Sequence, residues 1–100
     1  MPDFWDLLES ATGPSRKLDR AACKALGVPN RNYSSSVDAC LELIHERLPA
    51  AHWHVGRAED GVSVYATLSN GRHREESTKV TVPLALLTVT ARFLDSQAGQ

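Results

Sequence analysis

The stretch that decides the fold runs from Val80 to Leu94 and reads VTVPLALLTVTARFL. It is the longest apolar run of the chain. Before Pro83 polar and apolar residues alternate as in a strand, whereas after it apolar residues recur at helical intervals of three and four. Because apolar side chains occupy so much of this helix's circumference, we expect it to be covered on more than one side. The run therefore predicts a central helix lying on a small sheet.

Three amphipathic segments precede this helix, and their ends carry recognisable signals. The first spans residues 3–11. The second follows Ser15, whose hydroxyl suits a helix N-cap, and it ends at Gly27, which suits the left-handed position after a helix. The third spans residues 36–48 and has apolar residues at strict helical spacing. We therefore predict three helices before the sheet.

Three segments with the two-residue period of strands follow the third helix. In the first of them, Trp53 is expected to face the core. Asn70-Gly71 predicts a hairpin between the second and third strands. A two-residue loop there would set polar side chains opposite apolar ones, so we expect a one-residue shift that places Val64 opposite Thr78 and Val62 opposite Val80. The segment 69–76 would then project beyond the core as a charged tip.

These elements predict an α+β fold in the order α-α-α-β-β-β-α, as one domain spanning residues 1–100. A small antiparallel three-stranded meander would pack against the helices. Apolar residues make up 42% and charged residues 23% of the 100, which are ordinary values for a globular chain. The formal net charge of -1 gives no general attraction to nucleic acid or to an anionic membrane.

Other features of the sequence indicate a cytoplasmic protein. The apolar run is too short and too polar to span a bilayer. The N-terminal stretch opens acidic and lacks the basic region of a signal peptide. Two cysteines, Cys23 and Cys40, are too few for a disulfide framework and fit a reducing compartment.

Several stretches together resemble one known family. They are Gly13–Asp19 (GPSRKLD), Ala25–Gly27 (ALG), Tyr33–Ala39 (YSSSVDA), the tryptophan strand, and Pro83–Leu86 (PLAL) with Ala91-Arg92. This pattern resembles the phage ABA sandwich domain over nearly the whole chain. The resemblance implies a helix–sheet–helix sandwich encoded by a phage or prophage, acting in the bacterial host cell, with no established catalytic residues. The segment 69–82 departs from the short glycine-rich link expected there, which makes it a candidate for a function particular to this protein.

No motif in the sequence indicates catalysis, so we expect no enzyme, no cofactor and no metal site. His52 and His54 point the same way on a strand, a geometry that can chelate a metal, but no spacing supplies the further ligands that zinc needs. The two cysteines fall among apolar neighbours on predicted helices, where thiols are usually inert. Nucleophile-elbow, phosphate-loop and zinc-protease motifs are missing.

Two polar stretches are candidates for binding. The first is the charged tip, with an aromatic anchor on the neighbouring strand: Arg72, His73, Arg74, Glu75, Glu76 and Tyr65. A loop of this kind on a compact scaffold either is merely solvated or presents a contact surface to a partner. The second is a basic helix face, joined by a residue of the following connector: Arg16, Lys17, Arg20, Lys24 and Arg31. This face is either solvated or a site for phosphates.

We therefore expect a non-catalytic phage or prophage accessory protein that binds a host protein, for example a counter-defence inhibitor of the anti-CRISPR kind. The alternatives are a small-ligand or nucleotide sponge, or a nucleic-acid binder, using the basic helix face. A structural or assembly component that buries an exposed face in an oligomer is a further alternative. Membrane binding is not expected.

Overall fold

The computed structural model describes residues 3–98. Its elements, in chain order, are α1 (Phe4–Ser10), α2 (Arg16–Leu26), α3 (Val37–Arg47), β1 (His52–Arg57), β2 (Val64–Ser69), β3 (Arg74–Lys79) and α4 (Val82–Ala98). The strands form one antiparallel sheet in the order β1-β2-β3. The α+β class, the element order and the meander predicted from the sequence are confirmed.

The helix ends are set by local hydrogen bonds. The Ser15 hydroxyl accepts a hydrogen bond from the Leu18 N–H at 3.1 Å, and Ser36 does the same for Ala39 at 3.1 Å. Gly27 ends α2 with a φ of 64°, a left-handed conformation that glycine adopts without strain. The N-cap and C-cap positions predicted for α2 are therefore confirmed.

Helix α4 is the middle layer of the molecule. Every residue from Leu84 to Ala91 is buried. β2 and β3 cover one side of the helix, and α3 with part of α2 covers another. The sandwich therefore runs from the sheet through α4 to the remaining helices. The helix, rather than the sheet, occupies the middle because α4 is apolar round most of its circumference.

The register between β2 and β3 differs from the predicted one. Val64 lies opposite Lys79 and Leu68 lies opposite Glu75, so the expected pairing of Val64 with Thr78 is wrong. Val62 belongs to the β1–β2 loop and is 80% exposed. Polar residues of β3 thus share the α4-facing side of the sheet with the apolar residues of β2. The one-residue shift was expected from the sequence because it would avoid this arrangement.

Two polar side chains on this inner side donate to carbonyl groups of the helices. The Ser77 hydroxyl donates to the Ala85 carbonyl at 2.8 Å. The Lys79 amine, at the end of β3, donates to the Leu8 carbonyl of α1 at 3.1 Å. Partial burial, together with the nearby Arg92 charge, lowers the pKa of the Lys79 amine. Ser77 and Lys79 are tolerated on the mixed face because each of them finds an acceptor on a helix.

The charged tip does not project from the molecule as a separate unit. β2 continues to Ser69 and β3 begins at Arg74, which leaves a short turn of residues 70–73. In this turn the Asn70 carboxamide oxygen accepts the His73 N–H at 2.9 Å, and the His73 ring lies edge-on to Phe93 of α4 at 5.1 Å between centroids. The turn is therefore fastened to the core.

Candidate functional site

β1 carries apolar side chains that no helix covers. Trp53 and Val55 lie opposite Leu68 and Ala66 of β2, so they are on the α4-facing side of the sheet. α4, however, packs along β2 and β3. Trp53 is consequently 42% exposed and Val55 37% exposed, and the prediction that Trp53 belongs to the core is wrong.

The main chain of β1 is also open along its outer edge. The Ala58 N–H donates to the Ser63 carbonyl at 2.9 Å, which fixes the alternation of the antiparallel ladder. Residues at even positions of β1 therefore bond to β2. The N–H and C=O groups of Trp53, Val55 and Arg57 are turned away from β2. These groups form a row of donors and acceptors at the edge of the sheet.

The opposite edge of the sheet is protected. The Arg92 guanidinium of α4 reaches the edge of β3 and donates to the Glu76 carbonyl at 3.0 Å. Arg74 and Glu76 also form an ion pair at 3.5 Å along this strand. Charged side chains and a blocked carbonyl discourage pairing with another strand. The open edge is therefore a property of β1 and not of the whole sheet.

The outer face of β1 is basic or neutral and contains no carboxylate. His52 and His54 are exposed and lie opposite Ser69 and Thr67. Between residues 3 and 98 no cluster of three or more His, Cys, Asp or Glu side chains is placed to hold a metal ion. The two histidines are exposed on this face, where other molecules can reach them.

The six residues predicted to bind a partner do not form one patch. Arg74, Glu76 and Tyr65 lie on the face of the sheet away from α4. His73 and Glu75 are half-buried, contact each other and lie towards α4. The one-residue shift expected from the sequence would instead turn Arg74 and Glu76 towards the core, and that consequence of the shift is wrong. Arg72 is exposed in the turn. The role of the six in binding remains a prediction.

Tyr65 lies far along β2 from the turn and covers a glycine. It is directly opposite Gly56, where an added Cβ would come within 2.7 Å of the Tyr65 ring. The close approach of this ring depends on the absence of a side chain at Gly56. Tyr65 is therefore a packing partner of β1 on the outer face, and its role as an anchor for a partner stays a prediction.

Three of the five basic residues predicted as an alternative site converge. Arg16 and Arg20 of α2 and Arg31 of the following connector line one shallow pocket of about 260 Å³, together with Asp19, Asn30 and Asn32. Lys17 and Lys24 do not line it. The sequence indicates the spacing of the α2 arginines, whereas the position of Arg31 depends on how the connector folds back.

The cysteines are placed for packing. Cys40 is buried, and its Sγ lies 3.2 Å from the Tyr33 carbonyl. Burial, with a smaller contribution from the Asp19 charge, raises the pKa of the Cys40 thiol to about 12, so it stays protonated at neutral pH. Cys23 is half-buried.

No helix within the described range 3–98 has the length and apolarity needed to cross a bilayer.

Comparison with known protein families, with characterised proteins and with solved structures gave no match. The resemblance to phage ABA sandwich domains therefore remains a prediction. What the protein does has to be inferred from the geometry of its own surface.

Proposed function

We propose that this protein is a non-catalytic binding protein that takes an extended segment of a protein partner as an additional strand beside β1. One observation carries the proposal: β1 combines an unpaired main-chain edge with two exposed apolar side chains, Trp53 and Val55. Strand addition draws its affinity from such main-chain groups and its specificity from alternate side chains. Exposed apolar residues beside an open edge are otherwise a liability that proteins avoid.

The side chains of β1 define the chemistry of the partner segment. Side chains on opposite strands share a face, so the segment's residues on the α4 side would meet Trp53 and Val55 and would be apolar. Residues on the outer face would meet His52 and His54 and would be acidic or hydrogen-bond acceptors. Since β1 has no carboxylate and presents the imidazoles of His52 and His54 on the outer face, we propose a partner segment that alternates apolar residues with acidic or hydrogen-bond-accepting ones.

The resemblance noted in the sequence supports a biological setting for this binding. A phage or prophage accessory protein of this kind would act in the cytoplasm of the bacterial host. By occupying an extended segment of a host protein, such as a component of a defence system, it would inhibit that protein without chemistry. The turn at residues 70–73, which joins β2 to β3, would be a second contact in this proposal.

A proline at position 55 tests the edge directly. The Val55 N–H is turned away from β2, so Val55→Pro removes a donor that a partner needs and none that the sheet uses. Val55→Thr is the matched control, because it stays β-branched and keeps the N–H. Both variants and the native protein would be used to capture partners from the host, with thermal unfolding confirming that each is folded.

The outcomes separate the open edge from the charged turn. We expect a stoichiometric partner to be retained by Val55→Thr and lost with Val55→Pro, and we expect hydrogen exchange in the complex to protect the Trp53 and Val55 amides. Retention of the partner by Val55→Pro would exclude strand addition. Loss only on charge reversal at Arg72, Arg74, Glu75 and Glu76 would move the site to the turn. A concentration-dependent mass of the protein alone would identify a second copy as the occupant.

A further inference from the structure

The pocket between α2 and the connector is lined by three arginine residues. Arg16 and Arg20 are one helical turn apart on α2, and Arg31 approaches from residues 27–36. Asn30 and Asn32 add amide donors at the rim. Three positively charged residues, which repel one another, therefore line one pocket.

Hydrogen bonds between α2 and the connector fix the backbone at the pocket. The Ser34 N–H donates to the buried Asp19 carboxylate at 2.8 Å. The Ser15 N–H donates to the Ser34 hydroxyl at 2.8 Å, and this hydroxyl donates to the Ser15 carbonyl at 3.1 Å. These bonds hold the connector against the start of α2. The position of Arg31 relative to Arg16 is therefore set before any ligand binds.

The Arg31 side chain is held by two glutamates of α3. Its Nη1 donates to Glu42 at 3.2 Å and to Glu46 at 3.4 Å, both on α3. Within the described part of the chain, Nη2 and Nε of Arg31 make no hydrogen bond, and these atoms carry further donors. The two glutamates orient Arg31 but leave a guanidinium edge available.

Within residues 3–98, Arg16 and Arg20 are not paired with the nearby carboxylates. Asp19 also lines the pocket, and one of its oxygens accepts the Ser34 N–H. Glu42 and Glu46 pair with Arg31. Among residues 3–98, Arg16 and Arg20 form no ion pair. An anion in the pocket would thus meet two unpaired guanidinium groups and the free edge of a third.

We propose that this pocket binds the phosphate group of a small ligand. Guanidinium groups bind phosphate through paired, charge-assisted hydrogen bonds, and a preset group of them suits its several oxygens. The pocket volume of about 260 Å³ accommodates one phosphate with a small attached group. The protein's net charge of -1 offers no field that would gather a nucleic-acid polymer, so a small phosphate compound is the ligand class. This site is independent of the β1 edge.

The chain supplies a matched pair of variants for the test. Arg16→Gln with Arg20→Gln removes two charges that line the pocket. Lys17→Gln with Lys24→Gln removes two charges from the same helix outside the pocket, so both double variants have the same net charge. Binding of inorganic phosphate, pyrophosphate and adenosine monophosphate would be measured by titration calorimetry, with a single-stranded oligonucleotide as a further probe.

We expect at least one of the three small phosphate compounds to bind. The arginine variant should bind it at least about tenfold more weakly, because each charge-assisted hydrogen bond lost is worth about that factor, and the lysine variant should differ by less than about twofold. Equal weakening in both variants would overturn the proposal, since the charge of the helix face and not the pocket would then be responsible. Binding of the oligonucleotide alone, or of none of the probes, would also overturn it.

Discussion

The two edges of the sheet have the same length and opposite character. β3 is charged along its length, and Arg92 of α4 donates to one of its outward carbonyls. β1 has an exposed tryptophan and valine, and no other strand between residues 3 and 98 pairs with its outward main-chain groups. The difference arises because α4 lies over β2 and β3 and stops short of β1. One helix thus protects one edge and leaves the other uncovered.

Because β3 is protected against edge pairing, the exposure of β1 is not a general property of this sheet. If both edges were open, the sheet would simply be prone to association. Protection of β3 by charge and by Arg92 indicates that this chain avoids edge pairing where it has no use. The open edge of β1 is therefore the surface on which the proposed strand addition rests.

The largest expected effect comes from proline placed on the bonded side of β1. The His54 N–H faces β2, so His54→Pro should lower the free energy of unfolding by about 3 kcal/mol, through a lost ladder bond and ring clashes. Val55→Pro, on the open side, should lower it by less than about 1 kcal/mol. Urea unfolding of the two variants measures both values. Equal losses would show that the outer edge of β1 is not free.

A smaller effect is expected when the protected edge is opened. Arg92→Met keeps most of the aliphatic stem but removes the donor to the Glu76 carbonyl, which should cost about 1 kcal/mol. The same variant should show more self-association, measured by light scattering at rising concentration. Arg72→Met serves as the control because the Arg72 side chain makes no hydrogen bond within the described residues. Identical behaviour of the two variants would contradict a protective role for Arg92.

The outer face of β1 can be disturbed without touching its edge. Gly56→Ala places a methyl group against the Tyr65 ring, which must swing outward, and we expect a loss of about 0.5–1 kcal/mol in unfolding free energy. Gly13→Ala is the control, because a Cβ there meets nothing within 4 Å. Thermal unfolding compares the two. A neutral Gly56→Ala would mean that the ring of Tyr65 is not packed on β1.

The smallest effect on stability is expected at the exposed apolar side chain itself. Val55→Thr retains branching at Cβ and changes a residue that is already 37% exposed, so unfolding free energy should change by less than about 0.5 kcal/mol. A loss of about 2 kcal/mol or more, which is typical of a buried site, would show that Val55 belongs to the core. Urea unfolding beside the native protein provides the measurement.

Local chemistry made much of the fold predictable. The ends of α2 depend on Ser15 and Gly27, whose side-chain and backbone preferences act within a few residues. The central position of α4 follows from the number of its apolar faces. Such features need no knowledge of distant contacts, and they were predicted correctly.

The features that failed depend on contacts between distant parts of the chain. The register of β3 is compatible with Lys79 facing inward only because its amine reaches the Leu8 carbonyl, 71 residues away in sequence. Exposure of Trp53 depends on how far α4 extends across the sheet. The pocket at Arg16 forms only because Ser34 brings the connector back onto Asp19. No pattern in the sequence indicates these contacts, because each depends on residues that lie far apart in the chain.

The middle position of α4 has a consequence for folding during synthesis. α4 follows the sheet and the three other helices in chain order, yet these elements meet chiefly through it. A ribosome-bound chain that lacks α4 would therefore hold two groups of elements with apolar sides and no common core. Cooperative folding must wait until α4 has left the ribosome, and the open edge of β1 is exposed throughout that interval.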